Sequence, residues 1–287
     1  MYIVNVIGCG KVGKTLAKLI DQTGAGKIQD LYSRSSQSAQ KASEFIGSGH
    51  VVDDLAAMRT ADIWLIAVPD SQISIISDAL ARVSNEVRAP GLDMPVAIHC
   101  SGFESSALLE SMRAKGFAIG SVHPAMSFAD PQSSVAMFKG TPCAIESDAR
   151  STQLLDKWVR QLGASPFELK ASNKGLYHAA AVFSANLNVV LQSVAIEAWQ
   201  ACGVHPDLIS KLHAALLSTT TQNLLQMDPA RALTGPAARG DTRVVELQYD
   251  IVKQWHPEAA QAYEVLSRLA SRLASSGQTR VKTNDSH

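Results

Sequence analysis

Residues 2–13 read YIVNVIGCGKVG, a run of apolar residues that ends in three glycines spaced as GxGxxG. The run Tyr2–Ile7 is rich in β-branched residues and is typical of a buried parallel strand. Apolar side chains recur at helical spacing over residues 14–22, so the glycines lie between a predicted strand and a predicted helix. In that context they permit a tight turn, close approach of a diphosphate, and close packing of helix on strand. The stretch predicts a dinucleotide-binding loop; the alternative is a tight turn without a ligand.

Strand and helix patterns alternate through the first 170 residues. Further strands are predicted at 28–32, 51–52, 63–68, 96–99, 117–122, 142–145 and 166–169, and further helices at 38–45, 71–83, 105–115 and 151–162. This alternation predicts an α/β fold with a doubly wound, mostly parallel Rossmann sheet. After Asn173 the strand patterns stop, and helices are predicted at 174–201, 206–226, 242–255 and 257–275. We therefore expect a Rossmann domain over 1–170, an all-α C-terminal domain over 171–275 and a polar tail over 276–287.

The end of the second predicted strand bears on the choice of cofactor. An NAD site usually places a carboxylate there for the ribose 2′-hydroxyl. Here Ser33, Arg34 and Ser35 follow the strand, and Asp30 is expected at its start, away from the nucleotide. An arginine and two hydroxyls can bind a 2′-phosphate, so the sequence predicts NADP(H) unless Arg34 is only a solvated surface residue. The predicted cofactor-binding residues are Gly8, Cys9, Gly10, Lys11, Val12, Gly13, Ser33, Arg34, Ser35, Val68 and Pro69.

Polar residues follow two other predicted strands. Ser101-Gly102 comes after one strand, and His123-Pro124 ends the next. Ligands of open α/β sheets bind at the carboxyl ends of the strands, so these residues are expected near the reacting end of the cofactor. Alternatively, both are ordinary strand-ending turns.

Lys174 and His178 are four residues apart on a predicted helix and share one face of it. A carbonyl that accepts hydride needs a proton donor, which a partly desolvated lysine or a histidine can supply. The predicted catalytic residues are Lys174, His178 and His123, and the predicted substrate-binding residues are Ser101, Gly102, Asn186 and Arg239. Three alternatives remain: a solvated Lys174, a core His178, and a local ion pair between Arg239 and Asp241.

Composition limits the classes of partner. Lys and Arg number 26 and so do Asp and Glu, which gives no electrostatic case for nucleic acid or an anionic membrane. The four cysteines form no CxxC pattern, so no metal site and no disulfide framework are expected. Polar residues interrupt every apolar stretch, and no signal peptide is recognised. We expect a cytoplasmic protein that does not span a membrane and acts on a small molecule.

These motifs together resemble a bacterial family of Rossmann-type NADP oxidoreductases with a helical C-terminal domain. Some of its members are described as an alternative type of ketopantoate reductase. The resemblance extends from Tyr2 to Ser275. It is carried by the glycine loop, Ser33-Arg34-Ser35, His99-x-Ser-Gly, Gly120-Ser-x-His-Pro, Lys174-x3-His178 and Leu233-Thr-Gly-Pro-x2-Arg-Gly-Asp241.

More distant similarity is to the 6-phosphogluconate dehydrogenase-like β-hydroxyacid dehydrogenases, pyrroline-5-carboxylate reductase and prephenate dehydrogenase. The first group carries Lys-x3-Asn on the first interdomain helix; Lys174 matches the lysine, and His178 replaces the asparagine. The His-Pro of prephenate dehydrogenases is matched by His123-Pro124. The resemblance implies reduction of a small 2-oxo acid such as ketopantoate in an interdomain cleft, and a homodimer formed through the helical domain. Imine reduction and non-catalytic NADP(H) binding remain alternatives.

Overall fold

The computed structural model describes residues 1–83 and 89–281. By their internal contacts they divide into two compact units, Met1–Asn186 and Leu187–His287. The sequence boundary near residue 171 marks where the strands stop, whereas the first long helix after it still belongs, by contacts, to the first unit.

The first unit contains one eight-stranded sheet with the order β3-β2-β1-β4-β5-β6-β7-β8. Its strands are β1 Tyr2–Ile7, β2 Gly26–Tyr32, β3 His50–Val52, β4 Ile63–Ile66, β5 Val96–His99, β6 Ala118–Pro124, β7 Pro142–Ser147 and β8 Ser165–Glu168. Every neighbouring pair is parallel except β6 and β7. The predicted doubly wound, mostly parallel sheet is confirmed. Strand order reverses at β1, and ligands of such sheets bind at this switch point.

Helices cover both faces of this sheet. They are α1 Lys11–Thr23, α2 Ser36–Ile46, α3 Asp70–Val83, α4 Glu110–Ala114, α5 Pro131–Met137 and α6 Thr152–Gln161. Helix α7, Lys174–Ser184, follows the last strand, and Lys174 is its one buried residue. The predicted helix at 105–115 is instead a 3₁₀ turn, Ser106–Leu109, that leads into the short α4. The sequence prediction missed α5, although its start is marked by Pro131 and by Asp130, whose carboxylate accepts the Ser133 amide.

Burial explains why these strands read as continuous apolar runs. All four residues of β4 and of β5 are buried, because helices cover the sheet on both sides. On one face Leu16 and Ile20 of α1 join the core, and on the other Leu109 and Met112 do so. The core therefore holds the carboxyl ends of the central strands at one edge, where the candidate site lies.

The second unit is helical throughout its described residues. The remaining helices are α8 Asn186–Ala201, α9 Pro206–Gln226, α10 Pro229–Ala232, α11 Pro236–Arg239, α12 Thr242–Trp255 and α13 Pro257–Ser276. This confirms the expected helical C-terminal region. The predicted helix at 174–201 is divided at Ala185 into α7 and α8, and the short α10 and α11 were not predicted. Residues 282–287 of the predicted tail lie outside the described residues.

One helical stretch, Ala171–Ala201, is long and apolar enough to cross a membrane by length and composition alone. Its most apolar window has a mean hydropathy of 1.6, and none of that window is buried. Its first turn, however, is tied to the sheet, because the side chain of Lys174 is buried among the strand ends. The expectation of no membrane span stays a prediction.

Candidate active site

A cavity of about 390 Å³ opens beside the glycine loop. Eight predicted cofactor residues line it, namely Gly8, Cys9, Gly10, Ser33, Arg34, Ser35, Val68 and Pro69, together with Ile7, Tyr32, Ser38, Ala67, Gln72 and Ile76. The predicted residues Lys11, Val12 and Gly13 lie in the first turn of α1 and are not among the lining residues. The segments after β1, β2 and β4 thus meet at one hollow, as the switch-point rule requires.

Two of the glycines are required by close backbone contacts. Gly8 has φ +97°, and a Cβ there would lie 2.4 Å from the carbonyl oxygen of Ala67. A Cβ on Gly13 would lie 2.0 Å from the carbonyl oxygen of Gly8. A Cβ on Gly10, in contrast, would meet no atom within 4 Å. The outer glycines therefore close the strand–helix turn, and the middle one leaves its side of the loop open to a ligand.

The Ser33–Ser35 segment offers positive charge and hydroxyls to this cavity. Arg34 is exposed, and among the described residues no carboxylate pairs with its guanidinium. Ser35 is the N-cap residue of α2, and Ser38 in the first turns of that helix also lines the cavity. A phosphate here would meet a helix N-terminus, hydroxyls and a cation, all of which favour an anion.

Asp30 does not lie where the sequence placed it. It is the fifth of seven residues in β2, so its expected position at the start of the strand was wrong. Its buried carboxylate accepts hydrogen bonds from the guanidinium of Arg59 at 2.6 Å and from the Arg59 amide at 2.7 Å. The carboxylate of Asp30 is therefore paired with Arg59, and it does not line the nucleotide cavity.

Cys9 has no chemical role in this arrangement. Its side chain is buried, and burial raises the pKa of the thiol to about 11. The thiol stays protonated at neutral pH, and Sγ lies 3.7 Å from the carbonyl oxygen of Tyr32. Cys9 is a small spacer between two glycines.

Ser101 organises the turn after β5. Its hydroxyl donates to Asp70 Oδ2 at 2.9 Å and accepts from the amides of Phe103 and Glu104 at 3.1 and 2.9 Å. His99 supports the same turn, since its Nδ1 accepts the Ser101 amide and its Nε2 lies 3.1 Å from the Ser105 carbonyl oxygen. Burial lowers the pKa of His99 to about 4, so this imidazole is neutral. The hydroxyl predicted to bind substrate is thus engaged in holding the turn.

Lys174 is bonded to the ends of two strands. Its Nζ donates to the Ser101 carbonyl oxygen at 2.9 Å and to Ser121 Oγ at 2.7 Å. Only 1% of the residue is exposed, and burial lowers the pKa of its ammonium, which the charges of Glu146 and Asp70 oppose. The predicted alternative of a solvated lysine is wrong. Lys174 joins the start of α7 to β5 and β6 and places its amino group against the Ser101–Gly102 turn.

The two remaining predicted catalytic residues lie together. The rings of His123 and His178 are 5.9 Å apart and inclined at 72°. Gly102 lies against both, since a Cβ there would be 2.7 Å from His123 Nε2 and from His178 Cδ2. Burial, reinforced by His178 and Lys174, lowers the pKa of His123 to about 4. The structure therefore brings Lys174, His178, His123, Ser101 and Gly102 into one cluster at the carboxyl ends of β5 and β6.

Two predicted substrate residues have no such contacts. Asn186 is exposed at the start of α8. Arg239 belongs to the helical unit, where its Nε lies 3.2 Å from Asp241 Oδ2. This is the local ion pair that the sequence left as an alternative to a carboxylate clamp. Among the described residues, no group of three potential metal ligands is present.

The sequence interpretation overlooked Tyr177, Asp70 and Phe103. The hydroxyl of Tyr177 lies 3.0 Å from His123 Nδ1, Asp70 accepts the Ser101 hydroxyl, and the ring of Phe103 packs on that of His178 at 6.4 Å. Tyr177 adjoins His178 in the chain, but nothing local indicates a partner 54 residues away. Only its position three residues after Lys174, on neighbouring faces of a helix, offered a signal.

Two family models match successive parts of the chain. Residues 2–124 match a model of a Rossmann-like domain, and residues 141–270 match a domain of unknown function, DUF2520. No curated protein matches the chain. The DUF2520 match begins at β7, so it includes the edge of the sheet and Lys174 as well as the helical unit.

Solved structures show the same fold over nearly the whole chain. A candidate NADP oxidoreductase from Bacteroides fragilis has a TM-score of 0.77 at 21% identity, covering 94% of this chain and 98% of that one. A Thermotoga maritima protein has a TM-score of 0.71 at 25% identity, covering 96% and 99%. An imine reductase from Myxococcus stipitatus, solved with NADP+, has a TM-score of 0.63 at 17% identity, covering 96% of each chain. The chain thus combines a Rossmann-like domain with a C-terminal domain similar to DUF2520.

Proposed function

We propose that the protein is an NADP(H)-dependent oxidoreductase that reduces a small carbonyl or imine compound. The observation that carries this proposal is the arrangement of two sites along one edge of the sheet. The nucleotide cavity lies after β1, β2 and β4, and the cluster of Lys174, His123 and His178 lies after β5 and β6. A hydride donor and a proton donor are the two parts that such a reduction requires.

The residues of the cavity fit NADP(H). The open side of Gly10 and the amides at the start of α1 suit the diphosphate. Ser33, Ser35 and the exposed guanidinium of Arg34 suit the 2′-phosphate. When bound, the reduced cofactor would supply a hydride. The solved imine reductase of similar fold, which binds NADP+, supports the same choice.

The protein's own residues would then donate a proton to the substrate and stabilise the negative charge that develops on it. His123 presents a half-buried ring beside Gly102, and His178 flanks it. Lys174 holds its positive charge beneath that turn, where it would stabilise negative charge that develops on a substrate oxygen. We therefore assign the proton donor to His123, with Lys174 and His178 as its electrostatic and steric support.

Our first substrate class is a small 2-oxo acid, and ketopantoate is the first compound to test. The support is the family resemblance of the motifs, above all Lys174-x3-His178 on α7 and the His-Pro that ends β6. Lys174 can offset the charge of a nearby carboxylate even where it does not touch it, because little water screens a buried charge.

A cyclic imine is the second candidate, and one observation favours it. Two hydrogen bonds engage Nζ of Lys174 within the fold, which limits its use as a direct proton donor. An imine accepts its proton from water before hydride transfer more readily than a carbonyl does, so it depends less on any proton donor of the protein, whether Lys174 or His123. The fold shared with imine and pyrroline-5-carboxylate reductases points the same way.

The test measures NADPH oxidation with a panel of 2-oxo acids and cyclic imines, and NADP+ reduction with a panel of β-hydroxy acids. We expect turnover with at least one member, and a preference for ketopantoate if the first class is correct. A preference for imines would instead make the cyclic imine the substrate class. Calorimetric binding of NADPH without turnover of any member would contradict enzymatic function and leave a cofactor-binding protein.

We also propose a cytoplasmic homodimer that forms through the helical unit. Large apolar side chains are exposed on α8, α9 and α12, among them Leu187, Val190, Leu191, Leu216, Leu225, Leu247 and Ile251. An apolar surface of this extent is typical of an interface between subunits. Sedimentation of the purified protein should give twice the monomer mass; a monomer at micromolar concentration would contradict the proposal.

A further inference from the structure

The pair of His123 and Tyr177 has a geometry that the assigned roles do not explain. Nδ1 of His123 and the hydroxyl oxygen of Tyr177 are 3.0 Å apart, and the two rings meet edge to face at 5.5 Å. The Tyr177 ring packs in turn against Phe167 at 6.0 Å. Packing on both sides therefore holds the phenol against one nitrogen of the imidazole.

The other nitrogen of His123 faces the turn where a substrate would bind. Nε2 lies next to Gly102, close enough that a Cβ there would be 2.7 Å away. Among the described residues, no group hydrogen-bonds to Nε2, whereas Nδ1 has Tyr177. The imidazole thus has one nitrogen held by the protein and one available to a ligand.

This imidazole is poorly suited to act alone. Burial, with His178 and Lys174 beside it and only Asp70 opposing them, lowers the pKa of His123 to about 4, so roughly one molecule in a thousand is protonated at pH 7. A neutral imidazole that lost its Nε2 proton without compensation would become a strongly basic anion. Burial raises the pKa of Tyr177, and Cys143 raises it further. The phenol therefore keeps its proton at neutral pH.

The geometry points to a two-proton relay in which Tyr177 OH and His123 together protonate the substrate, an inference that rests on the proposed reductase function. As hydride reaches the carbonyl carbon of the substrate, the Nε2–H bond of His123 breaks and the proton bonds to the carbonyl oxygen. The Tyr177 O–H bond breaks as its proton moves to Nδ1, so the imidazole stays neutral. After product leaves, Nε2 takes a proton from water and Nδ1 returns its proton to the phenolate. One hydride and one solvent proton are consumed in each cycle.

Tyr177 does not touch the substrate in this scheme; it is a positioning residue that acts through His123. Its loss should therefore change how the rate depends on pH. With the relay, the neutral pair donates, and the rate of reduction is flat between pH 5.5 and 8.5. Without the phenol, only imidazolium can donate, and its population falls about tenfold for each pH unit above the pKa of His123.

The test compares Y177F with Y263F, which removes a phenol that bonds to Gln248 in the helical unit. At pH 7, kcat of Y177F for the best substrate of the panel should fall roughly a hundredfold, within the usual contribution of general acid catalysis. Its log kcat should decline with a slope near −1 as pH rises. Y263F should keep the flat profile of the wild type. A flat profile for Y177F would overturn the relay.

A second measurement does not depend on turnover. In ¹⁵N-histidine NMR of the protein, with H123Q to assign the signals, we expect His123 to carry its proton on Nε2 and to accept a hydrogen bond at Nδ1. In Y177F the Nδ1 signal should shift towards that of an unbonded nitrogen. A proton on Nδ1 in the wild type would overturn the relay, whatever the enzyme reduces.

The two measurements separate this inference from the function on which it rests. If no compound oxidises NADPH, the proposed function fails and the relay fails with it. If NADPH is oxidised but the pH profile or the tautomer differs from expectation, the relay alone fails. Turnover, a slope near −1 in Y177F and protonated Nε2 together support both.

Discussion

The two ends of the candidate site are built in different ways. The nucleotide end consists mainly of backbone turns and exposed groups that follow β1 and β2 within a stretch of about 30 residues, and residues after β4 complete it. The reaction end consists of buried and half-buried side chains from distant segments: Lys174 bonds to groups at 101 and 121, and Tyr177 to His123. Local sequence can specify the first end, whereas the second forms only when the sheet does. The variants below test that contrast, from the largest expected effect to the smallest.

Replacing Lys174 should have the largest effect. K174M removes the buried amino group and its bonds to Ser101 and Ser121, so we expect kcat to fall about 10²- to 10³-fold, the usual cost of losing one group that stabilises the transition state electrostatically. K170M, in which an exposed lysine is changed, is the matched control. Melting temperatures of both variants would show whether the fold survives. Unaltered turnover of K174M would contradict a role at the reaction end.

The glycines of the loop should respond in opposite ways. G13A places a Cβ 2.0 Å from a backbone oxygen, and we expect it to lower the free energy of unfolding by about 3 kcal/mol. G10A meets no atom within 4 Å and should melt as the wild type does, yet bind NADPH more weakly because its methyl group enters the cavity. Chemical denaturation and calorimetry measure the two effects. Normal NADPH affinity in G10A would contradict binding of the diphosphate at this loop.

Arg34 tests cofactor choice at the nucleotide end. R34A should raise KM for NADPH between tenfold and a hundredfold, because a charged hydrogen bond contributes about 1.5–3 kcal/mol. KM for NADH should hardly change, since NADH has no 2′-phosphate. R160A, which removes an exposed arginine of α6 paired with Asp156, is the control. An unchanged preference for NADPH in R34A would refute the assignment.

Arg239 should give the smallest effect on stability. Both members of its pair with Asp241 are exposed, so R239A should change the free energy of unfolding by less than about 0.5 kcal/mol. If Arg239 binds the carboxylate of a 2-oxo acid, KM for that substrate should nevertheless rise at least about tenfold. An unchanged KM would show that Arg239 does not bind the substrate and that its pair with Asp241 is only a local contact.

The gaps in the sequence interpretation follow the same contrast. Period and turn signals located β5 at 96–99 and α9 at 206–226 as the structure has them. They missed α5, whose seven residues are too short to show a helical period. The partners of Lys174 could not be inferred at all, because a contact across 53 residues depends on which strands pair. For the same reason Ser101 was predicted to bind substrate, although its hydroxyl is already bonded to Asp70 at the start of α3 and to two amides of its own turn.

The sequence by itself determined the α/β class, the glycine loop and the basic segment at the end of β2, because these depend on neighbours in the chain and on local periodicity. Only the tertiary structure decided that Lys174 is buried, that Asp30 pairs with Arg59, and that Tyr177 lies against His123. These contacts join residues that are distant in the chain, so none of them exists until the sheet and its helices have packed.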